Sequence, residues 1–290
     1  MNYSKVKSVS IISCYGITKF PENDNYAMVL NYIPKGNLRN HLQKNHSNLT
    51  LKDRFTTFHR LCRSLYDIHQ NNLIHCDLHS GNILVQGGAC FITDLGLCGP
   101  VDDESSNKIY GIISYIAPEI LRGNKNTKKS DIYSIGMLMW EIFSGHPPYE
   151  DRAHDCHLIL EICKGLRPPI LSNMPEEYVE MMKKSWDVDP SKRPTIKELC
   201  DFAKDYLNNL YRNGPSNNET ATLTRNSSSN CNNYNNDNLQ QIRKTHPFAY
   251  HSSRILNDDI AEYKSLQQSL LLDPVSEVVS EIDVDEFKTI

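Results

Sequence analysis

No apolar run in this 290-residue sequence approaches the roughly 18 residues needed to cross a bilayer, so nothing in it reads as a membrane span. The first thirty residues are polar and interrupted by Gly16 and Pro21, so they do not read as a secretory signal. Charge of one sign is also missing: 31 basic residues stand against 35 acidic ones, a net −4 that gives no field for nucleic acid or anionic lipid. No C-x-x-C pair occurs among the nine cysteines, so they read as reduced thiols of a cytoplasmic protein, not as a disulfide framework or zinc site. No internal repeat is present.

What the sequence does contain divides near residue 213. Asn213 to Gln240 holds ten asparagines among Ser and Thr, and almost nothing there could fill a core and offset the entropy of ordering. Residues 212–256 are read as a disordered linker, and its sequons at Asn218 and Asn226 as accidents of composition. Residues 257–290 form an acidic tail with nine acidic and two basic side chains. In it Ile260, Tyr263, Leu266, Leu270 and Leu271 recur at helical spacing, which predicts a short helix over Asp259–Leu272.

Before residue 213 short strands come first and helices follow, an α+β layout dominated by helices. Strands are predicted at Ser10–Gly16 and Tyr26–Tyr32, and a hairpin at Ile83–Val85 and Cys90–Ile92 around Gly87-Gly88. A short helix is predicted at Leu38–Lys44. Phe55, Phe58, Leu61, Cys62, Leu65 and Ile68 make one stripe of a longer one. The helix carrying Ile132, Ile135, Gly136, Met139, Ile142 and Phe143 bears so few charges that it belongs in the centre of a domain. Two more helices carry Tyr178, Met181, Met182 and Trp186, then Ile196, Leu199, Cys200, Ala203, Leu207 and Leu210. His154 and His157 are expected on a solvated helix face.

Three short motifs carry chemistry. His75-Cys76-Asp77-Leu78-His79-Ser80-Gly81-Asn82 puts an Asn five positions after an Asp, just before a strand. Asp94-Leu95-Gly96 follows 17 residues after Asp77, and Ala117-Pro118-Glu119 another 23 residues on. Each is weak alone, since Asp, Asn and Gly also populate ordinary turns. Their order and spacing together resemble the H-R-D-L-x-x-x-N, D-F-G and A-P-E motifs of eukaryotic protein kinases. Asp131-Ile132-Tyr133-Ser134-Ile135-Gly136, Asp189-Pro190 and Lys192-Arg193-Pro194 extend the resemblance. So do Val29-Leu30-Asn31-Tyr32 and Gly36-Asn37-Leu38, which look like the hinge and the helix after it. The match runs over about residues 9–211 and is nearest to the tyrosine-kinase-like group.

The resemblance implies a protein kinase-like fold: a kinase domain over residues 1–211, with an amino-terminal-lobe remnant at about 1–33 and a helical lobe at about 34–211. It implies transfer of the ATP γ-phosphoryl group to a protein hydroxyl, Ser/Thr before Tyr, in signalling. Such transfer needs positioning and charge neutralisation more than covalent chemistry. Asp77 would orient the attacking hydroxyl and accept its proton. Asn82 and Asp94 would offer oxygens to Mg²⁺, which prefers them. Asn31 and Ile33 would bond adenine through their backbone, with Leu30 as gatekeeper. Glu119 and Arg193 would form a structural ion pair, and Asp131 would anchor the catalytic loop. The implied partners are ATP and a protein substrate, with no nucleic acid and no membrane; no oligomeric state is implied.

Departures from the pattern carry expectations of their own. Cys76 stands where many kinases have an Arg that grips an activation-loop phosphate, so phosphorylation at Ser105, Ser106 or Tyr110 would lack that reader. His79 replaces the Lys of serine/threonine kinases and Ile112 the Thr of their G-T-x-x-Y segment. The sequence opens about where the family's fourth strand begins, without a Gly-rich loop or V-A-I-K lysine, and Lys5 and Lys7 have no strand pattern around them. The chain is therefore expected to lack most of the amino-terminal lobe, to expose an apolar strand face, and to be a poor enzyme by itself. The alternative reading is a catalytically silent kinase-like interaction module.

Overall fold

A computed structural model of the chain describes residues 11–22, 25–96, 98–100, 109–213 and 245–272. The positions Lys5, Lys7, Ser105, Ser106, Asn218 and Asn226 lie outside the described residues, as does the acidic end of the tail beyond Leu272.

Strands β1 (Cys14–Lys19) and β2 (Tyr26–Leu30) pair antiparallel, with a register shift between Cys14 and Gly16. Tyr15, Ile17, Tyr26, Met28 and Val29 of this ribbon are exposed. Alternation gives a two-stranded ribbon two faces, and exposed apolar side chains stand on both, Met28 on one and Val29 on the other. Next come α1 (Leu38–Asn45), capped by the Asn37 side chain, and α2 (Leu51–Gln70), started by a Thr50–Asp53 capping box. The stripe from Phe55 to Ile68 is fully buried, and Phe55 stacks on Tyr206 at 3.8 Å.

Strand β3 (Leu73–Ile74) pairs with β6 (Gly99–Pro100), and β4 (Ile83–Gln86) with β5 (Ala89–Ile92), each pair antiparallel. Gly87 and Gly88 both take the left-handed conformation that the two-residue turn between β4 and β5 demands. After β7 (Tyr110–Gly111) and the short α3 (Pro118–Leu121) runs α4 (Lys128–Ser144), in which every residue from Ser130 to Ser144 is buried. Then α5 (Cys156–Lys164) packs against α3, α6 (Glu176–Ser185) joins α2 against α4, and α7 (Ile196–Asn213) lies along α2. Helix α4 is thus buried in the centre of the helical body, as its few charges foretold.

Two differences from the sequence reading have clear causes. Helix α5, with Asp155 as its N-cap and left-handed Gly165 at its end, has Cys156, Leu158, Ile159, Ile162 and Cys163 buried at helical spacing, although its apolar stripe spans only two turns. His154 is not on a solvated helix face. It precedes α5 and is buried, its N–H donating to the Phe248 carbonyl at 2.9 Å, while His157 is exposed.

Phe248 belongs to the third difference. Residues 245–256, assigned by composition to the linker, lie across the body. Their carboxyl end is β8 (Arg254–Ile255), paired antiparallel with β7, and it leads into α8 (Asn257–Leu272). Leu256, Ile260 and Tyr263 are buried, and α8 packs against α5. A few apolar residues at suitable spacing suffice to dock a segment that is polar on average. No helix among the described residues is long and apolar enough to cross a membrane.

Candidate active site

The geometry begins with a buried carboxylate. Asp131, in the first turn of α4, accepts the backbone N–H of His75 at 2.9 Å and of Cys76 at 3.1 Å, and bonds His69 Nε2 at 2.8 Å. Cys76 is thereby held at φ 70°, a left-handed conformation that non-glycine residues adopt only when their surroundings impose it. The turn swings the next residue, Asp77, towards the surface of the helical body. Burial raises the Cys76 thiol well above its usual range, with the carboxylate of Asp131 adding to it, so this cysteine is an inert part of the turn.

Asp77 is held from three sides. Asn82 Nδ2 donates to its carbonyl at 3.0 Å and to its carboxylate at 3.3 Å, from five positions further along the chain. That use of the amide nitrogen leaves Asn82 Oδ1 as the acceptor of the side chain. His79 Nε2 lies 3.7 Å from Asp77 Oδ2. Burial works against ionisation of Asp77, but the neighbouring imidazole of His79, the Ser253 hydroxyl and His75 together outweigh it and hold the carboxyl below its ordinary range. Asp77 is accordingly a carboxylate at neutral pH.

Asp94 follows β5 with φ 60°, and the N–H of its neighbour Thr93 donates to the Asn82 carbonyl at 2.9 Å. His75 Nε2 bonds the Thr93 carbonyl at 3.1 Å, tying the two motifs together. Asp77, Asn82 and Asp94 therefore share one corner of the body. Carboxylate and amide oxygens of this kind are hard donors, the type a divalent cation of the Mg²⁺ class prefers. Among the described residues no group of three or more His, Cys, Asp or Glu is placed to hold a metal ion.

Asn31 and Ile33 lie just after β2, on the strand that leads to α1. The Asn31 N–H donates to Ser13 at 2.9 Å, and the Ile33 carbonyl accepts from Gly36 at 3.1 Å. Leu30, the last residue of β2, pairs with Cys14.

On the other side of Asp77 is Gly111, at φ 144°. A Cβ there would lie 3.2 Å from Asp77 Oδ1 and 3.0 Å from Ile116 Cδ1. Glycine lets β7 pass directly beside the carboxylate. Below it, Arg193 binds Glu119 through a buried two-armed ion pair and also donates to the Lys129 carbonyl at 2.8 Å, fixing the segment after β7 to α4.

Three residues of this neighbourhood were not singled out from the sequence as site residues. Ser253 donates its hydroxyl to both Asp77 oxygens, at 2.9 and 2.7 Å. His79, read as a loss because it is not Lys, reaches Ser253 Oγ from Nε2 at 2.9 Å. Its Nδ1 accepts the Gly81 N–H at 3.0 Å, which leaves the ring proton on Nε2, pointing at that hydroxyl. Arg39 bonds Ser80 Oγ at 3.2 Å and the His251 carbonyl. The one sequence signal for Ser253 is the short run Arg254-Ile255-Leu256 in a polar tail, and nothing in it says where that run docks.

Comparison with known proteins agrees with this architecture. The family profile for protein tyrosine and serine/threonine kinases matches residues 1–202. A serine/threonine-protein kinase/receptor of Acanthamoeba polyphaga mimivirus is 29% identical over 199 residues, covering 68% of this chain and 12% of that protein. A LIM domain-containing serine/threonine-protein kinase of Dictyostelium discoideum is 29% identical, over 68% of this chain and 30% of its own length. Human receptor-interacting serine/threonine-protein kinase 1 is 32% identical over 212 residues, 65% of this chain and 31% of that protein. The chain thus spans between about an eighth and a third of these relatives. With the motifs, the α4-anchored loop and the profile in agreement, the chain belongs to the protein tyrosine and serine/threonine kinase family.

Proposed function

We propose that the chain is an ATP-dependent protein kinase of the tyrosine-kinase-like group, with a kinase domain over residues 1–211 and a preference for Ser/Thr hydroxyls. The observation that carries this reading is the ionised, fixed carboxylate of Asp77 with a hydroxyl hydrogen-bonded to both of its oxygens. A carboxylate so placed orients an alcohol and takes its proton as the oxygen attacks phosphorus. The relatives carry serine/threonine-protein kinase in their names, and His79 reaches the acceptor hydroxyl where kinases of that specificity have Lys.

The family uses ATP with a divalent metal, which we take to be Mg²⁺ held by Asn82 Oδ1 and Asp94. The ion supplies neutralisation of the phosphate charge. This chain's own residues do the remaining work. Asp131 keeps the loop in place, Asn82 orients Asp77, and Asp77 receives the proton. The Asn31 carbonyl and the Ile33 N–H are the hinge groups assigned to adenine. A cytoplasmic signalling role accompanies the reading, with a protein substrate as partner.

The test is transfer of labelled γ-phosphate from ATP by the purified chain to itself or to casein, compared with Asp77→Asn. General base removal commonly costs about 10²–10⁴ in rate. A variant as fast as wild type ends the assignment of Asp77; absence of transfer by either protein favours the silent interaction module.

A further inference from the structure

Strand β8 lies where a protein substrate of this site would have to lie. Gly111 pairs with Arg254 and Tyr110 with Ile255, and the Leu256 N–H donates to the Ile109 carbonyl at 2.9 Å. Strand addition of this kind is a general way to hold an extended peptide, with backbone bonds giving affinity and side chains giving position. The residue just before the paired strand, Ser253, puts its hydroxyl 2.7 and 2.9 Å from the Asp77 oxygens.

The anchors that hold the segment do not involve Ser253. Arg254 is clamped by Asp259 at 2.6 and 3.0 Å and donates to the His154 carbonyl at 3.0 Å. Leu256, Ile260 and Tyr263 are buried against the body. His246 N–H reaches the Glu150 carbonyl at 2.8 Å, and Arg39 takes the carbonyl of His251. A plug needs only these contacts. The polar partners of the Ser253 hydroxyl are the general-base carboxylate and the Nε2–H of His79, the two groups suited to a reacting oxygen.

We propose that Ser253 is a phosphoacceptor of its own chain, presented in cis to Asp77. The proposal rests on the kinase reading above. In the step, Ser253 Oγ forms a bond to the γ-phosphorus of ATP while the bond from that phosphorus to the β,γ-bridging oxygen breaks. The electron pair leaves with ADP, and the Oγ proton passes to Asp77. The product carries a charge of about −1.5 to −2 against the Asp77 carboxylate. Like-charge repulsion then lifts β8 from β7 and clears the groove for other substrates.

The experiment incubates the purified 290-residue chain with γ-labelled ATP, Mg²⁺ and casein, together with an affinity-tagged Asp77→Asn copy, and maps the phosphorylated residues. The expected result is label on Ser253 of the untagged chain, with a first-order rate unchanged by tenfold dilution, and none on Ser253 of the tagged copy. Ser253→Ala brings that label to background, while Ser252→Ala, at the exposed neighbour, keeps it. Label on casein with none on Ser253 overturns this proposal and leaves the kinase reading standing. Label on Ser253 of the tagged copy overturns presentation in cis. Label on neither casein nor Ser253 removes the kinase reading, and this proposal with it.

Discussion

The guanidinium of Arg193 meets the carboxylate of Glu119 in two parallel 2.7 Å bonds, Nη1 to Oε1 and Nη2 to Oε2, with the arginine side chain fully buried. Removing one partner strands the other in a medium that solvates charge poorly. Glu119→Ala is expected to lower unfolding free energy by about 3–5 kcal/mol in urea titration. Burial also shields the pair from salt, so 0.5 M NaCl should leave the difference between variant and wild type nearly unchanged.

The anchor between α4 and the catalytic loop can be tested by keeping its shape and removing its charge. Asp131→Asn retains one acceptor oxygen for three donors. Leaving a buried N–H unsatisfied costs about 1–3 kcal/mol, so the midpoint of urea unfolding should fall accordingly. Phosphoryl transfer should fall further than stability alone explains, because the loop that carries Asp77 loses its brace. Asp77→Asn should instead abolish transfer with little change in the midpoint.

Gly111→Ala addresses the close pass of β7 beside the carboxylate. The new methyl would sit 3.0 Å from Ile116 Cδ1 and 3.2 Å from Asp77 Oδ1, on a backbone at φ 144°. An alanine where the backbone calls for glycine costs more than about 1 kcal/mol. The expected result is slower phosphoryl transfer together with faster hydrogen exchange at the amides of β7 and β8. Unchanged exchange would show that the strand pair accommodates the methyl.

His154 gives the fold a dependence on acidity. Burial pushes its pKa down to about 4, against the pull of its bond to the Tyr149 carbonyl, while the unfolded chain titrates near 6.5. Between those values the unfolded state binds more protons than the folded one. Stability contributed by neutral His154 is thus complete above pH 6.5 and drains away as pH falls towards 4. The full loss is on the order of 3 kcal/mol. Urea midpoints at pH 7.5, 6.0 and 5.0 should decline less steeply for His154→Gln. Because His154 also donates its N–H to Phe248, residues 246–251 should gain hydrogen exchange first.

Most of the body could be read from the sequence because local patterns and global packing agree there. The run from Ile132 to Phe143, with Glu141 its single acidic or basic residue, forced a central helix, and Gly87-Gly88 forced a hairpin. The Asp77, Asn82 and Asp94 corner was legible through fixed motif spacing. What escaped was non-local. Helix α5 shows only two turns of stripe, too few to stand out from a loop. His154 reads as polar because the residues that cover it come about a hundred positions later. Ser253 is one serine among many in an Asn/Ser-rich stretch, and only the pairing of β8 with Gly111 singles it out. By residue type His79 reads as a missing lysine, whereas its ring reaches the Ser253 hydroxyl beside Asp77.

The pairing of β8 with β7 also sets the terms on which any outside peptide competes. A segment joined to the site by its own chain presents itself at an effective concentration in the millimolar range for a flexible connection. A free peptide must compete with this incumbent, so its apparent dissociation constant rises by a factor of one plus that effective concentration divided by the incumbent's own dissociation constant. Weak apparent binding to the intact chain would then report the tether, and the groove's real selectivity would emerge only with β8 displaced.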